Sequence, residues 1–362
     1  MTEANVYCLV MAGGVGRRFW PMSRVERPKQ FLRFFGDRSL LQMTVDRIRP
    51  IIPPSQCLIV TNERYLEQTV TQLPEVPREN ILLEPVSRNT APCIAFGAGM
   101  VHRVRGDAVM VVLPADHLIQ DEASFHKVLN AAIEKARTPG VLVTVGIRPN
   151  RAATGYGYIE FDVEDREGTG VHRVLSFTEK PDPARAEEFL EAGRYLWNSG
   201  MFAWRADTIL REVEQSLPAV YSAFAPLLSG DAPDRRKVTE AFLQSPSISV
   251  DYGVMEKARD VFVVPGQFGW SDVGDWQAAY EVAPKDAAEN ASFGDVQFHD
   301  SSGCLAYASD RKISLLGARD LVVVDAGDAI LVCDRKQAQR VKEAANRTEQ
   351  GNGQNGRDSN AP

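Results

Sequence analysis

Cysteine is scarce in this sequence. Its 362 residues include 5 cysteines, at positions 8, 57, 93, 304 and 333, and no two of them form a Cys-x-x-Cys pair. An odd number at such wide spacing does not indicate a disulfide framework. Most of these cysteines lie in apolar segments, so we expect reduced, buried thiols, as is typical of a cytoplasmic protein.

Long apolar runs are absent as well. None reaches the roughly 20 residues that a membrane-spanning helix needs, and the N-terminus lacks the charged and apolar regions of a secretory signal. The formal net charge is −7, with 44% hydrophobic and 25% charged residues. This composition is typical of a soluble globular protein, and the acidic balance argues against general nucleic-acid binding. We therefore expect neither a membrane nor a nucleic acid as a partner.

The glycine-rich segment Gly13–Gly16 lacks residues of the two best-known phosphate-binding motifs. A dinucleotide fingerprint needs a third glycine where Phe19 stands, and a Walker A motif needs Lys-Ser/Thr after its second glycine. Backbone N–H groups in a glycine turn that leads into a helix nevertheless suit an anion. Residues 17–38 also carry seven basic against two acidic side chains. The segment predicts a polyphosphate site, although the glycines alone indicate an ordinary turn with a basic surface equally well.

Strand and helix patterns alternate through the first half of the chain. This alternation predicts an α/β fold with a mostly parallel sheet and helices on both faces. Ligands of such sheets bind beyond the C-terminal ends of the strands. The predicted strands are 6–11, 57–60, 81–83, 109–113 and 141–147, and the clearest helical patterns are 40–48, 91–104 and 125–136.

Two polar segments follow predicted strands directly. Asp116 comes just after the strand 109–113, where a carboxylate can hold Mg²⁺; the alternative is an aspartate in a turn or helix cap. Asn89 and Thr90 come after the strand 81–83, where either can cap a helix that has Pro92 in its first turn.

Several motifs together resemble the signature of the sugar-1-phosphate nucleotidyltransferases. The run MAGGVGRRFWPMSR at 11–24, followed by RPKQFL at 27–32, resembles the family's opening motif, and its Trp-Pro-x-Ser-Arg ending resembles the branch that acts on mannose 1-phosphate. The resemblance extends over about 6–341, nearly the whole chain. The later motifs occur in the family's order as RNTAP at 88–92, LPADH at 113–117, FTEKP at 177–181, WNSGMF at 197–202 and GWSDVG at 269–274.

The resemblance implies a Rossmann-like nucleotidyltransferase domain over 1–285, with a nucleotide half at about 1–150 and a sugar lobe of antiparallel strands at about 151–285. Short apolar steps over 290–345 predict a small β domain with a terminal helix, similar to the family's left-handed β-helix, although strict hexapeptide repeats are absent. We expect 346–362, which is polar and glycine-rich, to be disordered. There is no sign of the isomerase domain that longer relatives carry.

The implied reaction is transfer of GMP from GTP to α-D-mannose 1-phosphate, giving GDP-mannose and pyrophosphate, with Mg²⁺ as cofactor. The family's two metal-binding carboxylates correspond to Asp116 and Asp272, and these act in catalysis with Arg17 and Lys29. The implied nucleotide-binding residues are Gly13, Gly14, Gly16, Arg17, Asn89 and Thr90. The implied sugar-phosphate-binding residues are Gly155, Glu179, Lys180 and Asn198.

Other interpretations stay open. The chain is consistent with another nucleotidyltransferase of this fold that uses a different base or sugar, or with a non-catalytic regulatory subunit that binds sugar nucleotides. Locally, Glu179-Lys180 resembles a surface ion pair, WNSGMF a turn between strands, and Gly155 part of a plain hairpin. The sequence leaves the roles of Asp275 and of 251–257 open, and also the oligomeric state, for which a homodimer is one arrangement.

Overall fold

The computed structural model of this chain describes residues 5–164, 168–228 and 234–354. It divides the chain into two compact units, each built from separate stretches. The first unit comprises Met1–Gly13, Thr44–Ala115 and Ile119–Trp270, and the second comprises Gly14–Met43, Asp116–Leu118 and Ser271–Pro362. These units group residues by contact in space, whereas the predicted domains follow chain order, and the linear division stays a prediction.

A nine-stranded sheet forms the centre of the first unit, in the order β3-β2-β1-β4-β9-β6-β10-β8-β7. The pairs β1–β2, β1–β4, β2–β3 and β6–β10 are parallel, as predicted, whereas β9 runs antiparallel to both β4 and β6. The nine strands are β1 Val6–Ala12, β2 Cys57–Asn62, β3 Ile81–Glu84, β4 Val109–Pro114, β6 Leu142–Ile147, β7 Tyr158–Phe161, β8 His172–Thr178, β9 Tyr195–Arg205 and β10 Val261–Gly266. The short strands β5 Leu118–Ile119 and β11 Trp270–Ser271 pair with each other outside this sheet.

Helices cover both faces of this sheet. Alternate strand residues such as Leu9, Met110 and Trp204 share one core cluster with α3, α6, α7 and α8, while the intervening Cys8 and Val111 are also fully buried. Helix α4 packs against β4, β6, β9 and β10. The α-helices of both units together are α1 Leu40–Ile48, α2 Leu66–Gln72, α3 Thr90–Val104, α4 Glu122–Ala136, α5 Pro183–Ala192, α6 Ala206–Ser216, α7 Pro218–Phe224, α8 Arg235–Gln244, α9 Trp276–Val282 and α10 Val341–Gln354, of which α9 and α10 belong to the second unit. A π-helical turn lies at Asp251–Met255. The α/β prediction is confirmed.

The interpretation of Trp197–Phe202 as a turn between strands is wrong. This segment lies inside the continuous strand β9. Two features accommodate this irregular sequence in the sheet: Gly200 takes φ +70°, and the β6–β9 register shifts between Thr144 and Gly146. Strands β7, β8 and β9 pair antiparallel, as expected for the sugar lobe, but they extend the same sheet as β1–β4.

The second unit contains the β-helix-like domain that the short apolar steps predicted. Strands β12, β14 and β16 pair in parallel, as do β13 and β15, while β17 pairs antiparallel with β16. Phe19 from the opening motif and Trp276 pack in the same core as buried residues of these strands, with ring centroids 5.0 Å apart. The strands are β12 Ala291–Phe293, β13 Val296–His299, β14 Leu305–Ala308, β15 Ile313–Leu316, β16 Leu321–Asp325 and β17 Ile330–Asp334.

The prediction of a disordered tail is wrong over 346–354, which is helical. Helix α10 begins among good helix formers at 341–345 and runs to Gln354. The last part of the predicted tail, 355–362, lies outside the described residues. Within the part of the chain that the structure describes, no helix is both long and apolar enough to cross a membrane.

Candidate functional site

The opening glycine turn adopts backbone angles that favour glycine. Gly14 has φ +82° and Gly16 has φ +71°, both in the left-handed region. The expectation that the turn leads into an α-helix is wrong, since only a three-residue 3₁₀ turn, Arg17–Phe19, follows it. Pro21 has no backbone N–H with which to continue that turn as a helix. Any anion site here therefore depends on the turn's own N–H groups and on basic side chains.

Lys29 contacts two predicted residues that are distant from it in the sequence, and all three lie within the second unit. Its Nζ donates to Asp116 Oδ2 at 2.9 Å and to the backbone carbonyl of Asp272 at 2.6 Å. The Lys29 side chain is only 6% exposed. It begins a 3₁₀ turn directly after Pro28, and its backbone N–H donates to the Val15 carbonyl at 3.2 Å, which ties it to the glycine turn. A buried ammonium with two oxygen partners is a fixed positive charge.

Asp116 is ionised by its surroundings. Burial opposes its ionisation, but the Lys29 ammonium and the His117 ring outweigh that effect, so the pKa of Asp116 is lowered. His117 Nε2 lies 4.0 Å from Asp116 Oδ1. The Asp116 side chain is still 35% exposed, so its carboxylate is both charged and accessible.

Asp116 and Asp272 have the donor chemistry that Mg²⁺ prefers. Mg²⁺ is usually held by one or two carboxylates together with substrate phosphates and water. The Asp272 carboxylate lies against Gly274, where an added Cβ would come within 3.0 Å of Oδ2. Among the described residues, no group of three or more His, Cys, Asp or Glu side chains is arranged to hold a metal ion. Binding of Mg²⁺ by Asp116 and Asp272 stays a prediction.

Gly16 and Gly14 form a matched pair for a test of the Lys29 position. A Cβ on Gly16 would lie 2.5 Å from Lys29 Cβ, whereas a Cβ on Gly14 would meet nothing within 4 Å. Because both residues have positive φ, alanine at either site costs roughly 1–2 kcal/mol of backbone strain. We expect Gly16→Ala to lower the free energy of unfolding by about 1–3 kcal/mol more than Gly14→Ala does, because its added Cβ overlaps Lys29. Thermal unfolding of both variants measures this difference, and equal Tm values would contradict it.

Arg17 has a partner that the sequence reasoning missed. Its Nη1 donates to Asn346 Oδ1 of α10 at 2.5 Å, within the second unit. Asn346 lies in the stretch that was predicted to be disordered, so no local signal indicated this contact.

Asn89 and Thr90 begin α3 in the first unit. Asn89 takes φ +68° as the N-cap, and its Oδ1 accepts from the Thr90 N–H at 2.8 Å. The Thr90 hydroxyl accepts from the Val250 N–H at 2.9 Å. The interpretation as a helix cap is therefore confirmed, and binding of the base by these residues stays a prediction.

Of the predicted sugar-side residues, Gly155 lies just before β7, Glu179 and Lys180 follow β8, and Asn198 lies in β9. Glu179 and Lys180 form an ion pair, and Glu179 is 8% exposed. The close backbone approach expected at the glycines of this segment occurs at Gly157, where a Cβ would overlap Glu179 Oε2; Gly155 faces open space. Asn198 Nδ2 donates to Asp251 Oδ1 at 2.8 Å. The sequence reasoning noticed the segment around Asp251 without giving that carboxylate a role.

Asp275 is the N-cap of α9. Its Oδ1 accepts from the Ala278 N–H at 2.9 Å, and its Oδ2 accepts from the Gln339 amide. Burial raises the pKa of Asp275. These contacts give Asp275 a structural role, which the sequence had left open.

Comparison with known proteins gives matches over nearly the whole chain. The family model described as nucleotidyl transferase matches residues 7–289, and the one described as MannoseP isomerase/GMP-like beta-helix domain matches residues 296–347. The xanthan biosynthesis protein XanB of Xanthomonas campestris pv. campestris is 43% identical over 345 residues, which are 94% of this chain and 72% of that protein.

Two further matches have the words mannose-1-phosphate in their names. A mannose-1-phosphate guanylyltransferase of Klebsiella pneumoniae is 41% identical over 342 residues, covering 93% of this chain and 72% of that protein. A crystal structure from Thermus thermophilus, described as mannose-1-phosphate geranyltransferase, superposes with a TM-score of 0.87 at 38% identity, covering 95% of this chain and 99% of that one.

Proposed function

This chain belongs to the nucleotidyl transferase family, and we propose that it transfers GMP from GTP to α-D-mannose 1-phosphate, with GDP-mannose and pyrophosphate as products. The observation that supports this most directly is the contact of Lys29 with both Asp116 and Asp272, residues separated in sequence by 87 and 243 positions from that lysine. A fixed cation beside an accessible carboxylate suits the transfer of a phosphoryl-type group, which depends on positioning and charge stabilisation.

The reaction needs no covalent intermediate on the protein. A phosphate oxygen of mannose 1-phosphate forms a bond to the α-phosphorus of GTP, and the bond from that phosphorus to the oxygen bridging to the β-phosphate breaks in line. Pyrophosphate leaves with the electron pair of the broken bond. Negative charge increases on the bridging oxygen and stays high on the α-phosphate oxygens, so the chain must supply positive charge at both places.

Basic side chains and the opening glycine turn supply that charge. Lys29 offsets the charge on the α-phosphate, and Arg17 with the N–H groups of Gly13–Gly16 binds the triphosphate and the leaving pyrophosphate. Asp116 and Asp272 hold Mg²⁺, which when bound neutralises phosphate charge. The lowered pKa of Asp116 keeps it ready as an anionic ligand at neutral pH.

Residues of the first unit bind the base and the sugar 1-phosphate. Asn89 and Thr90, at the start of α3, contact the guanine. Glu179 and Asn198, with the backbone at Gly155, bind the mannose hydroxyls, and Lys180 binds the phosphate of the sugar. A cytoplasmic location and a homodimer also stay predictions.

A substrate panel tests this proposal. Purified protein with Mg²⁺ is given GTP, ATP, UTP or dTTP with each of several hexose 1-phosphates, and pyrophosphate release is measured. We expect kcat/KM for GTP with mannose 1-phosphate to exceed every other pair on the order of 10²-fold, because a site built for hydrogen bonds rejects partners that leave them unmade. Preference for another pair would show a different nucleotidyltransferase. Nucleotide binding without turnover would instead favour a regulatory subunit.

A further inference from the structure

The carboxylate of Glu179 has one oxygen without a partner. Oε1 accepts from Lys180 Nζ, but Oε2 is buried and accepts no hydrogen bond from any residue that the structure describes. The side chain is 8% exposed and lies against Gly157, the position where a Cβ would overlap it. A buried carboxylate oxygen without a donor is unfavourable and calls for an explanation. A ligand hydroxyl that donates a hydrogen bond to Glu179 Oε2 is one such explanation.

Asn198 is held in one orientation beside this carboxylate. Its Oδ1 accepts from the Gly200 N–H at 3.1 Å, and its Nδ2 donates to Asp251 Oδ1 at 2.8 Å. A backbone N–H only donates and an ionised carboxylate only accepts, so the reversed amide would lose both bonds. Asp251 therefore determines which face of Asn198 carries N–H, and the second N–H of that amide is left for another acceptor.

Asp251 is itself placed by an unusual backbone. It opens the π-helical turn Asp251–Met255, a rare geometry that is frequent at functional sites. The preceding residue, Val250, donates its N–H to the Thr90 hydroxyl, and the Ile248 carbonyl accepts from the Ala91 N–H. The segment 248–251 thus connects the start of α3 with Asn198 inside the first unit.

Asp251 is also held at a cost in electrostatic energy. Burial and the nearby Glu179 charge raise the pKa of Asp251 to about 6, which the Asn198 hydrogen bond and Lys180 only partly oppose. A group kept only for stability does not need an ionisable carboxyl at this place. The unfavourable charge is consistent with a function that stability alone does not explain.

We propose that Asp251 is a positioning residue of the sugar site, which fixes Asn198 so that its second N–H and Glu179 Oε2 bind neighbouring oxygens of the sugar. This inference rests on the proposed function, since it names how that site recognises a hydroxylated sugar 1-phosphate. The pair offers one donor and one acceptor, which suits two adjacent hydroxyl groups, each able to donate and to accept.

A double-mutant cycle tests whether Asp251 acts through Asn198. The variants are Asp251→Ala, Asn198→Ala and the double variant, and KM for mannose 1-phosphate and KM for GTP are measured separately. We expect Asp251→Ala to raise KM for mannose 1-phosphate about 10-fold, the size of a lost hydrogen bond to a charged group, and to change KM for GTP less than about 2-fold. The double variant should match Asn198→Ala alone, because neighbours that act together are not additive.

Two further variants separate positioning from structure. Asp251→Asn keeps an acceptor for Asn198, so we expect it to restore KM to within about 3-fold of wild type. Because the folded-state pKa of Asp251 is raised above the ordinary 3.8, the ionised group weakens the fold as pH rises through about 6. At pH 8 the Tm of Asp251→Asn should therefore equal or exceed that of wild type. Asp207→Asn, which removes a carboxylate paired with Arg205, is the control with both KM values unchanged.

The outcomes are separable from the proposed function. If wild type does not use mannose 1-phosphate, the proposed function fails whatever the variants do. If wild type uses it and Asp251→Ala keeps its KM, or if the two alanine effects multiply, only the positioning role is wrong. A drop in Tm for Asp251→Ala with both KM values unchanged would make Asp251 a structural residue.

Discussion

Lys29→Ala is expected to lower kcat by at least about 10²-fold, the typical loss when one preorganised charge is removed from a transition state. The ammonium is buried and fixed by two oxygens, and the Lys29 backbone is held by Pro28 before it and by its N–H bond to the Val15 carbonyl, so no mobile side chain or water reproduces this charge. KM for GTP should change less than kcat, because the charge matters most when negative charge develops. Steady-state pyrophosphate release at saturating GTP and mannose 1-phosphate measures the effect.

Folding must be distinguished from chemistry in this variant. Removal of one partner from a buried ion pair leaves Asp116 without its main cation, which destabilises the fold. Lys29→Met keeps the hydrocarbon stem near the Phe19 ring, over which the ammonium lies at 5.7 Å from the centroid, and should lose as much activity as Lys29→Ala. Lys127→Ala on the exposed side of α4 removes one lysine elsewhere and should keep full turnover. Normal kcat in a folded Lys29→Met would remove Lys29 from catalysis.

The position of Asp116 shows what the sequence predicts well. The continuous apolar run of β4 identifies a buried parallel strand, and the end of such a strand is where ligands bind, so a carboxylate there is conspicuous. The positive φ values at Gly14 and Gly16 follow equally from local chemistry. Each of these inferences needs only residues that are close together in the chain.

The contacts of Lys29 and Asn198 show what the sequence does not predict. Lys29 meets Asp272 through a backbone carbonyl, an atom that every residue carries and no pattern marks. Asn198 is oriented by Asp251, 53 positions later, through a π-helical turn that has no sequence signal. These contacts depend on tertiary packing, which motif order can imply only through resemblance.

Strand β9 and helix α10 show where local patterns mislead. Serine and glycine at 199–200 suggest a turn, yet burial between β4 and β6 keeps the chain extended through them. Glycines at 351 and 353 suggest disorder, yet the α-helix that begins at Val341 runs through them. In β9, tertiary burial outweighed the weak local preference, as is common for short segments.

Asp272→Asn and Asp116→Asn are each expected to lower kcat on the order of 10²-fold or more at ordinary Mg²⁺ concentrations. Both substitutions keep the side-chain shape and remove one negative charge from the proposed metal ligands. The Mg²⁺ concentration for half-maximal activity should rise on the order of 10-fold or more. Mn²⁺ binding in the presence of GTP, followed by electron paramagnetic resonance, should weaken in parallel and gives a readout that does not depend on turnover.

The Asp116→Asn and Asp272→Asn proteins should differ in thermal stability, because the two aspartates contact Lys29 through different atoms. Asp116 pairs with Lys29 through its carboxylate, so Asp116→Asn breaks a buried ion pair and should lower Tm. Asp272 contacts Lys29 through its backbone, so Asp272→Asn leaves that bond in place and should keep Tm near wild type. Asp275→Asn is the matched control three residues later: asparagine caps a helix as well as aspartate does, so activity and Mg²⁺ dependence should be unchanged. If Asp275→Asn impaired Mg²⁺ dependence as much as Asp272→Asn, the metal would belong to the loop as a whole rather than to the Asp272 carboxylate.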